Sequence, residues 1–173
     1  MNLRLAVLAI AAAGLIPAAV WAEPANIATT AVAEPKWFPE DKHADRTIAA
    51  AVAEASASQR FAVIVFGAEW CHDSRALARA LTSPAFASQF SSRFTVTFID
   101  VGKPQTGEGH NLNSVAALGV KQLKSTPALF VLGSDGKPIN KSKDAVSWRN
   151  AAARGQDKIL GWFADFAKKH DQV

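Results

Sequence analysis

Cys71 is the only cysteine of the chain, and it stands where a buried strand is expected to give way to a helix. The apolar run 61–67, FAVIVFG, is typical of a strand, and the segment 71–81, CHDSRALARAL, has helical period. The first N–H groups of a helix have no partner inside it and carry partial positive charge. A thiolate there is stabilised, so the layout predicts a nucleophilic cysteine. The alternative is a buried thiol that serves as a small apolar side chain.

Three polar residues follow Cys71 directly. His72 favours the thiolate if it is protonated, and it is otherwise a solvated surface residue. Asp73 opposes the thiolate by like charge, although it also suits the first turn of a helix. Ser74 is a candidate hydrogen-bond donor to the sulfur. Cys71, Ser74 and His72 are therefore the candidate catalytic residues, with the net electrostatic effect on the sulfur left open.

Other chemistry is poorly supported by the sequence. A metal site is not predicted, because the chain has no second cysteine and no His-x3-His pair. A cysteine protease would need a base, which His110 could supply, but nothing else in the sequence fits that enzyme. No cofactor is expected. The net charge is +4, but the basic residues are scattered, which favours a solvated surface over nucleic-acid binding.

Residues 1–22 have the pattern of an export signal. Arg4 gives a basic start, an apolar and small-residue run covers 5–16, and cleavage is expected near Ala22. We therefore expect a periplasmic protein without stable membrane insertion after signal removal; an uncleaved anchor is the alternative. Export implies an oxidising compartment, where a lone thiol is either buried or directed at another molecule's sulfur.

The remainder divides into an Ala- and Pro-rich flexible lead-in over 23–39 and one domain over 40–170. Strands joined through helices pair in parallel, and a hairpin adds antiparallel strands. The pattern thus predicts an α/β domain with a four-stranded mixed sheet flanked by helices. The predicted elements are helices at 44–59, 71–81, 85–90, 111–118 and 157–169, and strands at 61–66, 94–101, 128–132 and 137–141.

At this point the chain resembles the thioredoxin superfamily. The matching residues are 66–74, FGAEWCHDS, with Asp100, Ser125-Thr126-Pro127 and the hairpin 132–139, LGSDGKPI. More narrowly, the segment from 36 to 169 is similar to exported thioredoxin-like proteins with a Trp-Cys-x-Asp-Cys or Trp-Cys-x-Asp-Ser site. The resemblance implies a thioredoxin-like fold.

The resemblance also implies a substrate-binding surface made by Thr126 and Pro127, and Trp70, expected to be a surface aromatic beside the thiol, is the third candidate for substrate binding. It implies that Pro127 follows a cis peptide bond beside Cys71, and that the Thr126 backbone holds an extended partner chain. The alternative for Pro127 is an ordinary proline at the start of a strand.

Two departures from the family pattern bear on activity. Ser74 replaces the second active-site cysteine, and Val65 stands where thioredoxin carries a buried aspartate. Without a resolving thiol, Cys71 cannot release a partner by closing its own disulfide. The expected activity is therefore monothiol disulfide exchange, isomerisation or reduction, with proteins or small thiols bound as mixed disulfides. Two alternatives remain: a redox-inactive module that recognises polypeptides in the groove beside the cis-proline, and a small subunit packed against a larger exported protein.

Overall fold

The computed structural model describes residues 35–170. The predicted signal at 1–22 lies outside the described residues, as does the lead-in up to residue 34. Within the described part, no helix combines the length and apolar character needed to cross a bilayer.

The described residues form six α-helices and five strands. The helices are α1 Ala44–Ala57, α2 His72–Leu81, α3 Pro84–Phe90, α4 Leu112–Ala117, α5 Ser142–Ala145 and α6 Ala151–Lys169. The strands are β1 Phe61–Gly67, β2 Phe94–Asp100, β3 Gly102–Lys103, β4 Glu108–Gly109 and β5 Ala128–Leu132.

A sheet of three strands in the order β2-β1-β5 forms the centre of the domain. β1 pairs in parallel with β2, with Phe61 opposite Phe94, and antiparallel with β5, with Ala62 opposite Leu132. Every residue of β1 is buried. This agrees with the prediction from its uninterrupted apolar sequence, because a central strand covered on both faces exposes neither set of side chains.

The alternating side chains of β1 enter two separate cores. Val63 and Val65 join an aromatic-rich core with side chains from α2, α3 and α6. Ile64 and Phe66 join the opposite core with α1, α4 and β5. Such alternation is the period of a strand, and it fixes α2 on the first face of the sheet.

Trp37 and Phe38 also belong to the first core, at 8% and 4% exposure. The Phe38 N–H donates to Glu69 Oε1 at 2.7 Å, directly before the segment that carries Cys71. The packed domain thus includes two residues that the sequence boundary at residue 40 assigned to the lead-in.

The predicted fourth strand at 137–141 does not form. After β5 the chain turns back and makes one isolated antiparallel bridge, between Leu132 and Pro138. The Ile139 N–H donates to the Val131 carbonyl at 2.8 Å. The next backbone groups of β5, however, bond to the side chain of Asn140 and not to the backbone of a neighbouring strand. Asn140 Oδ1 accepts from the Val131 N–H at 2.8 Å, and Asn140 Nδ2 donates to the Leu129 carbonyl at 2.9 Å. One amide side chain therefore replaces the backbone of the strand.

The helices differ from prediction mainly near the C-terminus. The break before α3 is confirmed: Pro84 is the first helical residue, and Ser83 Oγ accepts from the Phe86 N–H at 3.1 Å. By contrast, α6 begins at Ala151 rather than 157. Its two parts meet at Gly155, whose φ of 72° is non-helical, so the helical period before that residue is interrupted.

Candidate functional site

Cys71 is the N-cap residue of α2. Its backbone is extended, with φ −85° and ψ 118°, and its carbonyl accepts the first helical hydrogen bond from the Arg75 N–H at 3.1 Å. The short turn from Gly67 to Cys71 is closed by the Cys71 N–H, which donates to the Ala68 carbonyl at 3.1 Å. The sulfur therefore lies at the N-terminal end of the helix, where unpaired backbone N–H groups carry partial positive charge. The residue is 7% exposed, so only a narrow part of it reaches solvent.

The loop before β5 lies directly against this sulfur. Cys71 Sγ is 3.6 Å from the Thr126 carbonyl oxygen, within reach of a weak S–H donor. The Thr126–Pro127 peptide bond is cis. Thr126 is 5% exposed, and its Oγ1 has no hydrogen-bond partner among the described residues. The structure thus brings three of the predicted site residues together, although they come from distant parts of the sequence.

His72 and Asp73 contact each other, and Asp73 also contacts α6. His72 Nε2 lies 3.2 Å from Asp73 Oδ2, and the His72 side chain is 76% exposed. Asp73 Oδ1 accepts a 2.9 Å hydrogen bond from the Ala152 N–H, in the first turn of α6. Asp73 was expected to stabilise the start of its own helix. Asp73 does lie in the first turn of α2, and its carboxylate also satisfies a free N–H group at the start of another helix.

Ser74 points into the domain. It is fully buried, and its Oγ has no hydrogen-bond partner in the part of the chain that the structure describes. The expected hydrogen bond from Ser74 to Cys71 Sγ is therefore not formed. A Cβ atom at Gly67 would lie 2.8 Å from Ser74 Oγ and 2.5 Å from a ring carbon of Phe38. Glycine at the end of β1 is needed for this close approach of Ser74.

Trp70 is the single large apolar residue that is exposed within 35–170, at 46%. Its ring is nevertheless fixed, because Trp70 Nε1 donates to the Gly102 carbonyl at 2.9 Å. Gly102 starts the two-stranded ribbon of β3 and β4, in which Lys103 pairs with Glu108. The ribbon therefore forms a wall beside the segment that precedes the cysteine.

Comparison with known proteins identifies this arrangement. Residues 43–134 match the model of a thioredoxin-like family, and this segment includes both Cys71 and Pro127. The chain belongs to the thioredoxin-like family. The crystal structure of a disulphide isomerase from Xylella fastidiosa Temecula1 is similar to it, with a TM-score of 0.63 and 30% identity over 75% of this chain and 97% of that one. No curated protein matches the chain.

The predicted thioredoxin-like fold is thereby confirmed, with one strand fewer than expected in the sheet of the described residues.

The contact between Asp100 and His110 was not predicted from the sequence of this thioredoxin-like protein. His110 Nε2 lies 2.6 Å from Asp100 Oδ2, and the His110 N–H donates to the Val101 carbonyl at 3.1 Å. The pair ties the end of the ribbon to the end of β2. Its only sequence signal was that the two residues flank the polar loop at 102–109.

Proposed function

We propose that this protein is a monothiol disulfide exchange protein, with Cys71 as its nucleophile. One observation carries the proposal: Cys71 is the N-cap of α2, with its sulfur 3.6 Å from the carbonyl of Thr126. The helix end favours the thiolate, and the carbonyl is a backbone acceptor beside the reacting atom. The similarity to a protein described as a disulphide isomerase supports the same activity.

The exchange uses two displacement steps that need no cofactor. The Cys71 thiolate attacks one sulfur of a client disulfide, forming a bond to that sulfur while the other client sulfur leaves as a thiolate. A second thiolate then attacks the client sulfur of this mixed disulfide and releases Cys71. If the second thiolate belongs to the client, the outcome is isomerisation. If two small thiols act in turn, the client disulfide is reduced and the small thiols are oxidised.

The residues around the sulfur have separate proposed roles. The Thr126 backbone pairs with an extended client chain, and Pro127 and the exposed ring of Trp70 line the groove that receives it. The buried hydroxyl of Ser74, which has no partner in the described structure, is available to donate to the sulfur when a thiolate forms. His72 contributes only when protonated, and its contact with Asp73 limits that contribution.

The activity is tested by refolding of a scrambled disulfide protein in a glutathione redox buffer. We expect the native protein to accelerate the recovery of native disulfides. The Cys71→Ser variant should lose that acceleration while it remains folded by circular dichroism. Equal rates with the two proteins would rule out catalysis through Cys71.

A redox-inactive binding module is the second candidate, favoured by the 7% exposure of Cys71 and by the hydroxyl of Ser74 in place of a thiol. In that case, polypeptides bind in the groove beside Pro127 without covalent chemistry. Partner binding that is unchanged in Cys71→Ser, together with no effect of either protein on refolding, would support the module.

We also propose that residues 1–22 direct export to the periplasm. The basic start, the apolar run at 5–16 and the small residues before the cleavage point support this. N-terminal sequencing of the protein recovered from the periplasm should begin at Glu23. Recovery of the uncleaved chain in the membrane fraction would instead indicate an anchor.

A further inference from the structure

A groove of about 540 Å³ lies on the side of Trp70 next to the ribbon. Its apolar lining residues are Trp70 and Phe38. Four carboxylates surround this surface. They belong to Glu40, Glu69, Asp100 and Glu108.

The groove has a preformed wall. The Asp100–His110 contact at 2.6 Å and the Trp70–Gly102 hydrogen bond at 2.9 Å hold the ribbon against the residues before Cys71. A ligand would therefore meet an ordered surface, and little conformational entropy would be lost on binding.

The charge of the groove is opposite in sign to that of the chain. Its four carboxylates share the lining with one ammonium group, from Lys103, and the imidazole of His110. A second ammonium group, from Lys42, lies 3.9 Å from Glu40 Oε1 outside the lining. The groove therefore keeps an excess of negative charge, whereas the whole chain has a net charge of +4. Lys103 Nζ lies 3.5 Å from Glu108 Oε2, but both side chains are more than half exposed, so this pair is easily displaced. Glu69 Oε1 accepts the Phe38 N–H at 2.7 Å. That bond satisfies the Glu69 oxygen without cancelling its charge.

We propose that this groove binds a lysine or arginine side chain of the client polypeptide, close to the cysteine that reacts with Cys71. The carboxylates attract the cation, and the exposed face of Trp70 offers a cation–π contact. Because Glu69 and Trp70 immediately precede Cys71 in the chain, the basic residue would lie within a few residues of the client's cysteine. This inference rests on the proposed function, for which it names the preferred client.

The test compares two peptides that are identical except for lysine or glutamate flanking a cysteine. The cysteine is held as a mixed disulfide with thionitrobenzoate. Attack of Cys71 on the peptide sulfur joins the peptide to the protein and releases the coloured thiolate, so the rate is read directly. We expect the lysine peptide to react about two to five times faster than the glutamate peptide at low salt. This ratio corresponds to the interaction free energy of exposed ion pairs. The ratio should approach one in 1 M salt, where screening is nearly complete.

Charge-removing variants locate the effect. Glu69→Gln keeps an oxygen that can accept from Phe38, and Glu108→Gln removes a second of the four carboxylate charges, so together they should clearly weaken the lysine preference. Glu54→Gln, on α1 and outside the groove, is the matched control and should retain it. Rates with neutral hydroxyethyl disulfide correct each variant for changes in sulfur reactivity. Equal peptide rates at low salt, or a preference that is undiminished in the double variant, would overturn the proposal.

The same measurement separates failure of the proposed exchange activity from failure of the proposed groove. If neither peptide reacts, Cys71 exchange is absent, and the groove is then tested alone. Calorimetry would compare the binding of the same two peptides, with serine in place of cysteine, to the Cys71→Ser protein. Tighter binding of the lysine peptide would support the groove, and equal or absent binding would overturn it.

Discussion

The carboxylate of Asp73 accepts a hydrogen bond from the backbone N–H of Ala152 at 2.9 Å, and so connects the cysteine-bearing helix to the start of α6. Asp73 is 8% exposed and borders the proposed nucleophile in sequence. Its role in the described structure is therefore to join two helices. This structural role accounts for an acidic residue two positions after the cysteine, although its negative charge still disfavours a thiolate there.

Removal of this link should destabilise the protein. We expect Asp73→Ala to lower the free energy of unfolding by about 1–2 kcal/mol, the range for loss of a helix cap. Asp73→Asn keeps an oxygen that can accept from Ala152 and should lose clearly less. Urea denaturation of both variants measures this difference. Equal losses would show that the Ala152 hydrogen bond is not what Asp73 contributes.

Gly102 should be essential to the ribbon beside Trp70. Its φ is +60°, and an added Cβ would lie 2.6 Å from the Glu108 carbonyl oxygen and 2.8 Å from His110 Nδ1. Left-handed backbone strain alone is expected to cost about 1–2 kcal/mol. Gly102→Ala should lower the free energy of unfolding by more than this, because the added Cβ also clashes. It should also shift tryptophan fluorescence, because Trp70 bonds to the Gly102 carbonyl.

Gly107 provides the matched control for Gly102. It has φ +83°, but a Cβ there would meet nothing within 4 Å. Gly107→Ala should cost only the backbone strain and leave the Trp70 emission unchanged. If the two variants behaved alike in stability and fluorescence, the close contacts of Gly102 would not be what holds the ribbon beside Trp70.

Asn140 should be needed to complete the sheet edge. Asn140→Ala leaves the Val131 N–H and the Leu129 carbonyl without their partner, which should cost about 1–3 kcal/mol. An unpaired edge is also a template for association, so this variant should aggregate more readily during refolding. Thermal unfolding and light scattering measure the two effects. Native stability in Asn140→Ala would show that water satisfies these backbone groups equally well.

Asp41 should give a pH-dependent contribution to stability. The Thr47 hydroxyl, followed by the His43 N–H, holds the pKa of Asp41 below its ordinary value of 3.8. A carboxyl whose pKa is lowered in the folded state stabilises it above the unfolded value, and the stabilisation disappears as the pH falls through the folded value. Because solvent screens this largely solvated carboxyl, we expect Asp41→Asn to lose only a few tenths of a kcal/mol at pH 6, on the order of an exposed pair. The loss should shrink by pH 3, and an equal loss at both pH values would contradict this.

The strand and the helix on either side of Cys71 could be predicted from the sequence alone. The apolar run of β1 and the helical period after Cys71 predicted a strand and a helix whose junction the structure confirms. The approach of Thr126 and Pro127 to Cys71 was implied only by the family resemblance, because no local pattern joins segments so far apart. The helix break at Ser83 was predictable because serine and proline act on their own local backbone.

The contacts that sequence reasoning missed depend on tertiary geometry. Asn140 replaces a strand with one side chain, and a short segment after an Asp-Gly turn gives no sign of that substitution. The hydrogen bond from Ala152 to Asp73 was missed, since the two residues lie 79 positions apart in the chain. The burial of Ser74 was equally hidden, because it depends on how closely α2 approaches the glycine at the end of β1.

Mass spectrometry of the folded protein after exposure to oxidised glutathione, without reduction, tests the central claim most directly. We predict that the native protein accumulates a single glutathione adduct on Cys71, because no second thiol in the chain can release it. Ser74→Cys, which supplies such a thiol, should release the adduct and leave an intramolecular disulfide. If native Cys71 stays unmodified while the urea-unfolded protein is labelled, the sulfur is inaccessible in the fold and the proposed exchange activity is wrong.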